Sequence, residues 1–284
     1  MSYIQGIDVS GWNPSVDWQK LRNQDIRFVL IKSTEGTSDF NEYFDEQWTG
    51  AKSAGILRGS YHYLRAAIEG AEQADFFLSK VNVQDGDLPP ILDVEEKNNE
   101  GASIFQFIDS TQKWLERVKS KTGRVPIVYC RTEYVNRWGP QPWAKEYQTW
   151  IAEWHDFTDR GEPSQPAGWG DWIFWQYSGD HDMLDGVYEN RAGTILRTVD
   201  RNAYRYSLQE LYKLARASLP VGGAVTSNQP VRTTSFAAQK TYIVKDGDTL
   251  NSIAVKNGTT ALAIANLNNV NKKDIIPGKV LKLP

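Results

Sequence analysis

Carboxylic acids are the side chains in this sequence whose types and spacing best suit chemistry. Two of them, Asp93 and Glu95, follow an apolar run in "LPPILDVEE", which covers residues 88–96. The run is typical of a strand buried on both faces, where a charge is costly. Side chains alternate across a strand, so these two acids are predicted to share one face as neighbours. Asp8 in "GIDVS" and Asp200 in "TVDRNAY" are two further acids predicted to end strands.

A group of carboxylates at one site is suited to cleaving an acetal. Like charges held close together raise the pKa of at least one carboxyl, which then donates a proton near neutral pH. A glycosidic oxygen leaves well once it is protonated, and the positive charge on the sugar needs a carboxylate or a neighbouring group. Two alternatives are a divalent metal site, for which no histidine or further acidic motif is present, and ordinary solvated strand ends or helix caps.

Eight strand-like segments are predicted to position these acids: residues 3–9, 28–33, 57–64, 90–95, 126–129, 149–154, 172–177 and 198–200. Helical stretches such as "GAEQADFFLSKV" and "SIFQFIDSTQKWLERVKSKTG", the second predicted to end at Gly123, separate the early strands, which indicates a parallel sheet. After residue 129 the helical pattern fades until "SLQELYKLARAS", where Ser207 is predicted to cap a helix. The predicted fold class is α/β, an irregular TIM-like (β/α) barrel of eight strands with helices missing in its last third.

The predicted barrel fold indicates where the four acids should lie relative to one another. Parallel barrels present their chemistry at the carboxyl ends of the strands, on loops that a rigid scaffold positions. The first and last strands of a closed barrel are neighbours, so Asp8 and Asp200 are expected to approach each other. With Asp93 and Glu95 ending the fourth strand, all four carboxylates are expected to share one mouth.

The C-terminal part of the chain has a different pattern. Residues 219–239, "LPVGGAVTSNQPVRTTSFAAQ", are weakly apolar and predict a flexible linker between a barrel over 1–218 and a small unit over 240–284. This unit is predicted to be βααβ: a strand at 242–244, a turn at 246–248, a helix from Thr249 to Gly258, a second helix from Thr259 or Thr260, and a strand at 279–283.

The composition of the chain argues against several classes of binding partner. The chain has 284 residues and a formal net charge of −3, which gives no basic surface for nucleic acid or an anionic membrane. One cysteine and three scattered histidines provide no zinc spacing, so neither a metal nor a cofactor is expected. The N-terminus lacks the pattern of a signal peptide, and no apolar run reaches membrane-spanning length. We therefore expect a monomer made in the cytoplasm without membrane insertion.

Seven motifs in order carry a family resemblance: "GIDVSGWN", "IKSTEGT", "GSYHYL", "ILDVEE", "IVYC", "FWQYS" and "VDRNAY". Together they resemble the glycoside hydrolase family 25 lysozymes, muramidases that cut bacterial peptidoglycan, from residue 4 to about residue 218. The resemblance implies an irregular eight-stranded barrel and cleavage of the β-1,4 bond between MurNAc and GlcNAc. It makes Glu95 the general acid and Asp93 its partner, with Asp8 and Asp200 completing the cluster.

The same resemblance implies a set of groove residues that contact the sugar: Tyr61, Tyr63, Tyr129, Trp154 and Gln176. The alternative for the tyrosines is a place in the barrel core, and for the tryptophan it is packing under a helix. His62, between the first two tyrosines, is predicted to be a hydrogen-bonded structural histidine and not a base.

The tail resembles the LysM module over residues 240–284, through "YIVKDGDTLNSIA" and "IIPGKVLKLP". LysM modules are known for binding glycans that contain GlcNAc. The resemblance places the sugar between a turn and a loop, formed by Gly247, Asp248, Thr249, Ile275, Ile276 and Pro277, although these residues also suit a purely structural role. One copy predicts modest affinity, which serves to tether the barrel to the wall.

The leading hypothesis is therefore a muramidase that LysM holds on peptidoglycan glycan strands, acting on the cell wall after release as phage lysins do. A chitinase-like hydrolase is the alternative enzyme, but its D-x-x-D-x-D-x-E pattern has an acid where Ile91 stands here. A catalytically inactive wall-binding protein is the third hypothesis, against which the intact Asp93 and Glu95 count. Retention and inversion are both open; we favour retention with the substrate's acetamido group as nucleophile.

Overall fold

The computed structural model describes residues 3–154, 161–179, 184–191, 194–196, 198–220, 241–259, 261–268, 270 and 275–283. The chain divides into two compact units, one built from residues 3–154 and 163–219 and the other containing the residues from 220 onward. Nearly all of the predicted linker, residues 221–239, lies outside the described residues. Within the described part of the chain, no helix has the length and apolar character needed to cross a membrane.

Strands dominate the first unit. They are β1 (Ile4–Val9), β2 (Ser15–Val16), β3 (Phe28–Glu35), β4 (Asp39–Phe40), β5 (Leu57–Tyr63), β6 (Ile91–Asp93), β7 (Ile127–Cys130), β8 (Thr149–Ala152), β9 (Trp172–Ser178), β10 (Val187–Arg191), β11 (Thr194–Leu196) and β12 (Asp200–Tyr204). Eight of them pair in the order β1, β12, β9, β8, β7, β6, β5 and β3, and β3 pairs again with β1. The predicted closed barrel of eight strands is confirmed.

Helices surround the barrel unevenly. They are α1 (Trp18–Asn23), α2 (Phe44–Ser53), α3 (Gly70–Lys80), α4 (Ile104–Thr122), α5 (Thr132–Asn136) and α6 (Leu208–Leu214), with a 3₁₀ turn at Ala144–Glu146. Gly123 ends α4 in the left-handed conformation (φ 64°), and the Ser207 side chain caps α6, both as predicted. Between α4 and α6 the described residues form only short helical segments, which confirms the missing helices of the last third.

The last barrel strand differs from the prediction in its bounds and direction. The sequence predicts a strand that ends at Asp200, whereas β12 begins there and runs antiparallel to both β1 and β9. Its first residue therefore lies at the same end of the barrel as the last residues of the parallel strands, and it pairs directly with Asp8. The pattern misleads because Arg201 and Asn202 are polar yet buried, and buried polar groups in a strand depend on hydrogen bonds that sequence does not reveal.

The fourth barrel strand is also shorter than predicted. The sequence predicts a strand over residues 90–95, but β6 ends at Asp93. Glu95 is therefore a loop residue, two positions beyond the end of the strand. The backbone N–H of Val94 still donates to the carbonyl of Tyr129 at 3.0 Å, which joins the segment to β7 just beyond the end of β6.

Large side chains fill the interior of the barrel below its mouth. Phe28 and Phe174 contact each other there, with ring centroids 4.9 Å apart. Gly6 faces the same ring, and a Cβ atom at this position would lie only 2.4 Å from Phe28. The interior is thus a packed core, and a cavity opens at the end where the parallel strands terminate.

The second unit has the predicted βααβ order: β13 (Thr241–Ile243), α7 (Leu250–Asn257), α8 (Ala261–Asn268) and β14 (Val280–Lys282). Its two strands pair antiparallel. Thr249 caps α7 in a reciprocal capping box with Ser252, and Gly258 ends the helix with φ 64°. Val244, Leu250, Ile253, Ala254, Ile264, Ala265, Leu281 and Leu283 form its buried core.

His62 is a structural residue, as predicted. It lies on β5 and is fully buried, with its ring stacked on Trp114 at 5.7 Å. Its Nδ1 is 2.8 Å from Thr34 Oγ1 and its Nε2 is 3.2 Å from Gln73 Oε1. The amide oxygen only accepts, so Nε2 carries the hydrogen of a neutral ring. Burial lowers the pKa of His62 to about 4.

This neutral histidine predicts a pH-dependent stability. The unfolded chain protonates a histidine below about pH 6.5 while the folded state does so only near pH 4, so stability should be lost as the pH falls through that interval. We expect His62→Gln to remove this part of the slope. Melting temperatures of both proteins across the interval test the prediction, and an unchanged slope in the variant would contradict it.

Candidate active site

A cavity of about 540 Å³ opens at the end of the barrel where the parallel strands terminate. Its lining contains all four predicted acids, Asp8, Asp93, Glu95 and Asp200, and four of the five predicted groove residues, Tyr61, Tyr63, Tyr129 and Gln176. Trp154, the fifth, lies beside this set and donates to Gln176 Oε1 at 2.9 Å. The structure thus brings residues of six different strands and their following loops to one mouth.

Two amide side chains hold the carboxylates where β1 meets β12. Asn202 Nδ2 donates to Asp8 Oδ2 at 2.7 Å, and Gln176 Nε2 donates to the same oxygen at 2.9 Å. Gln176 Nε2 also lies 3.2 Å from Asp200 Oδ2, so one amide group links the two acids. Asp8 is buried, and such donors offset the loss of water around its carboxylate.

Aromatic donors fix the orientation of both amides. Tyr129 Oη and Trp154 Nε1 each donate to Gln176 Oε1 at 2.9 Å. Trp150 Nε1 donates to Asn202 Oδ1 at 2.7 Å. An indole N–H donates only, so it selects the amide oxygen and turns the NH₂ group of each amide toward the acids. Sequence reasoning missed Trp150 and Asn202, which are buried and contribute through these bonds.

Asp93 and Glu95 lie where ionisation of a carboxyl is electrostatically costly. Asp93 is buried, and among the described residues its Oδ1 has no hydrogen-bond partner. Burial raises its pKa well above the usual range, and the negative charge of Glu95 raises it further. Burial also raises the pKa of Glu95, which is only half buried. The pair therefore holds a proton to a higher pH than isolated carboxyls do.

Lys32 supplies positive charge to this pair, and the sequence prediction missed it. It lines the cavity, lies 4.7 Å from the centre of the Tyr63 ring and forms an ion pair with Glu35. Its charge acts to lower the pKa of both Asp93 and Glu95, against the effect of burial. Every second side chain of β3 lies on the same face, which carries Phe28, Leu30 and Lys32. This period of two was the sequence signal that Lys32 points into the barrel.

The predicted tyrosines lie at the cavity and are also part of the core. Tyr61 and Tyr129 are buried and pack edge-on against Trp150, with ring centroids 6.0 and 4.4 Å away. Burial and the nearby carboxylates raise the pKa of both phenols, so they remain neutral. Tyr63 Oη donates to the backbone carbonyl of Lys97, in the loop that carries Glu95.

Two exposed tryptophans stand beside the cavity. Trp154 is 55% exposed, with the Arg131 guanidinium 4.5 Å from its ring centre. Trp12, which lines the cavity, is 65% exposed and was missed as a groove residue. Its loop is held by Gln47 Nε2, which donates to the carbonyls of Ser10 and Asn13 at 2.9 and 3.0 Å. Its position four residues after Asp8 in "GIDVSGWN" was the available signal.

The six residues predicted for the LysM glycan site have different surroundings. Asp248 accepts from Lys256 Nζ at 2.7 Å, Tyr242 Oη at 2.8 Å and the Lys245 backbone at 2.9 Å, which lower its pKa. Thr249 caps α7 with its hydroxyl. The side chains of these two residues thus build the small fold. Gly247, Ile276 and Pro277 are exposed, whereas Ile275 packs against the core of the unit.

Metal binding was the alternative use of the clustered acids. Across the residues that the structure describes, no group of three or more His, Cys, Asp or Glu side chains is arranged to hold an ion. The carboxyl groups at the mouth are suited to proton transfer and charge stabilisation.

The raised pKa of Asp93 predicts that this residue destabilises the fold at neutral pH. The folded state holds a proton that the unfolded chain releases above about pH 3.9, so stability decreases as the pH rises beyond that value. Asp93→Asn, which does not titrate, should melt at a higher temperature than wild type at about pH 7. The two proteins should converge near pH 4 in thermal unfolding, and a less stable variant at neutral pH would contradict the prediction.

Comparisons with known proteins agree with this geometry. Lysozyme M1 from Streptomyces globisporus is 33% identical over 227 residues, which cover 75% of this chain and 72% of that protein. N,O-diacetylmuramidase from Chalaropsis sp is 29% identical over 215 residues, 66% of this chain and 96% of that protein. The crystal structure of a bacterial lysozyme from Streptomyces coelicolor superposes with a TM-score of 0.65 and 32% identity, over 76% of this chain and 98% of the other.

Two families match separate parts of the sequence. Residues 7–186 match Glycosyl hydrolases family 25, and residues 242–284 match the LysM domain. The first match covers more than half of the chain and includes Asp8, Asp93, Glu95 and the groove residues of the barrel mouth. This protein therefore belongs to glycosyl hydrolases family 25 and carries a LysM domain at its C-terminal end.

Proposed function

We propose that the protein is a lysozyme that hydrolyses the β-1,4 bond between MurNAc and GlcNAc in bacterial peptidoglycan. The observation that carries this proposal is the carboxyl pair of Asp93 and Glu95, whose pKa values burial raises, at the mouth of a family 25 barrel. A glycosidic bond breaks when a carboxylic acid protonates its oxygen and the positive charge on the sugar is stabilised. The pair provides the proton for the first step and a carboxylate for the second.

Glu95 is the general acid of this proposal. It lines the cavity and is half buried, so its carboxyl is open to a ligand while still protected from bulk water. Burial raises the pKa of Glu95, so its carboxyl accepts the proton shared with Asp93 more readily than an ordinary glutamate would. The proton passes from the Glu95 carboxyl to the glycosidic oxygen as the bond to the sugar carbon breaks.

Asp93 receives the acetamido group of the sugar. Its Oδ1 is buried and lacks a hydrogen-bond partner among the described residues, so it offers an acceptor for a substrate N–H. A hydrogen bond to the ionised form favours ionisation, so a bound acetamido group shifts the shared proton onto Glu95. The acetamido oxygen then stands as the nucleophile for retention, and Asp93 stabilises the charge that develops on this group.

Asp8, Asp200 and the aromatic residues complete the proposed groove. Asp8 and Asp200, linked through the Gln176 amide, add negative potential on the side of the cavity where β1 meets β12. The neutral phenols of Tyr61 and Tyr129 and the exposed ring of Trp12 offer hydrogen bonds and apolar faces to a sugar.

The LysM domain is proposed to hold the enzyme on its polymeric substrate. Its exposed Gly247, Ile276 and Pro277 are the residues of the predicted glycan site whose surfaces are open to a ligand. A single domain of modest affinity still raises the local concentration of the barrel along a glycan strand. Residues 219–239 act as the linker, and the protein acts as a monomer at the bacterial wall after its release.

The first test of the function is Glu95→Gln on labelled peptidoglycan. The variant keeps the shape of the side chain but has no acidic proton, so turnover should fall by roughly a hundred- to ten-thousandfold. Wild type should create new MurNAc reducing ends and leave chitin intact. Asp93→Asn should also lose activity, because it acts on the charge of the acetamido group.

The control for this experiment is the folded state of each variant, measured by near-UV circular dichroism. If folded Glu95→Gln keeps wild-type turnover, Glu95 is not the general acid. If wild type releases GlcNAc reducing ends or degrades chitin as readily as peptidoglycan, the muramidase assignment is wrong and a chitinase-like activity replaces it.

The second test concerns the tether. A chain that ends at residue 219 should degrade solubilised glycan at the wild-type rate and lose activity on intact walls, where local concentration depends on LysM. Pelleting with purified walls should likewise decrease for the shortened chain. Equal activity of both chains on intact walls would show that the LysM domain does not tether the enzyme.

A further inference from the structure

Glu95 is not held by the sheet that surrounds the site. It lies two residues beyond the end of β6, in the loop of residues 94–103 that leads to α4. A general acid needs a heavy-atom distance of about 2.6–3.2 Å to the atom that it protonates. Contacts other than the hydrogen bonds between barrel strands must therefore fix this loop.

The side chain of Asn99 joins this loop to the neighbouring loop after β5. Its Nδ2 donates to the backbone carbonyls of Glu95 and Leu64, both at 2.9 Å. Its Oδ1 accepts from the backbone N–H of Ala66 at 2.8 Å. The two amide hydrogens and the amide oxygen each have a partner, and the residue is only 8% exposed. Asn99 thus acts as a three-way clamp whose contacts are all with backbone groups.

Other contacts hold parts of the same loop but not Glu95 itself. Arg65 donates to the backbone carbonyl of Asn98, and Tyr63 Oη donates to that of Lys97. Asn98 adopts a left-handed conformation with φ 59°. Among the side chains of the described residues, the hydrogen bond to the Glu95 backbone comes from Asn99.

We propose that Asn99 is a positioning residue that sets the place of the Glu95 carboxyl through the backbone of Glu95. This inference rests on the proposed role of Glu95 as general acid. Without the Asn99 amide, the Glu95 carbonyl loses its side-chain donor and the loop loses its link to Leu64 and Ala66. The acid then samples positions outside proton-transfer distance, although its chemistry is unchanged.

The expected effect is on turnover more than on binding. A misplacement of about 1 Å costs a reaction roughly a hundredfold, so Asn99→Ala should lower kcat on soluble peptidoglycan fragments about ten- to a hundredfold. KM should change little, because Asn99 does not line the cavity that receives the sugar.

A double-mutant cycle with Glu95→Gln separates positioning from general damage. Once Glu95 can no longer donate a proton, its position has little effect on leaving-group protonation. Asn99→Ala should therefore cause little further loss in the Glu95→Gln background, and the two effects should be strongly non-additive. Residual rates are measured on labelled peptidoglycan, with the folded state checked by circular dichroism.

Ser110→Ala is the matched control. The Ser110 hydroxyl, buried on α4, lies 3.1 and 2.8 Å from the carbonyls of Ala66 and Ile68, so it holds the same β5 loop from the other side. Its loss should lower the melting temperature and leave kcat near the wild-type value. Should Asn99→Ala fail to fold, Asn99→Asp replaces it in the cycle, because the carboxylate keeps the acceptor for Ala66 and removes the donors to Glu95 and Leu64.

Each outcome has one meaning. Non-additive effects with a selective loss of kcat support the positioning role of Asn99. Rate losses that multiply in the double variant, or a wild-type kcat in the folded Asn99 variant, overturn it while the muramidase activity stands. A wild-type protein that fails to cut peptidoglycan overturns the proposed function itself and is distinguished by that result.

Discussion

The burial of carboxylates where β1 meets β12 is the constraint on which the rest of the structure depends. Asp8 is kept out of bulk water at the mouth of a packed barrel, which is costly unless donors replace the lost hydration. The donors come from Asn202 on β12 and Gln176 on β9, and the two amides are oriented in turn by the Trp150 indole of β8 and the Tyr129 phenol of β7. Closing the barrel with an antiparallel strand is what brings Asn202 beside Asp8.

Two aspartates show how surroundings decide what a carboxyl does. Asp248 in the LysM domain accepts from a lysine, a tyrosine and a backbone N–H, and these contacts lower its pKa. Asp93 in the barrel is buried beside Glu95 and has an oxygen without a partner among the described residues, and its pKa is raised. The Asp248 carboxylate uses its hydrogen-bonding capacity within its own domain, whereas the Asp93 carboxyl keeps that capacity for a ligand.

The sequence predicted the features that depend on local patterns. The eight barrel strands, the Gly123 and Ser207 helix ends and the placement of Asp8, Asp93 and Glu95 at one mouth follow from periodicity, capping and strand ends. It failed on β12 because Asn202 is a polar residue in a buried strand, a choice that only its long-range partners explain. The role of Asn99 was not predicted for the same reason, because its hydrogen-bond partners Leu64 and Ala66 are more than thirty positions away in the sequence.

The two central acids of the site are held by different physical means, and this difference suits their proposed roles. Asp93 ends a strand, where pairing with β5 and β7 fixes its backbone on both sides, as a group that orients a sugar substituent requires. Glu95 lies on a loop, from which its longer side chain reaches the cavity. The backbone of this loop is held by hydrogen bonds from side chains instead of by pairing with other strands. A loop residue is easier to expose to a large polymer than a strand residue deep in the barrel. The fold thus combines a rigid, buried carboxyl with a more accessible one, whose loop is held by hydrogen bonds that include those of Asn99.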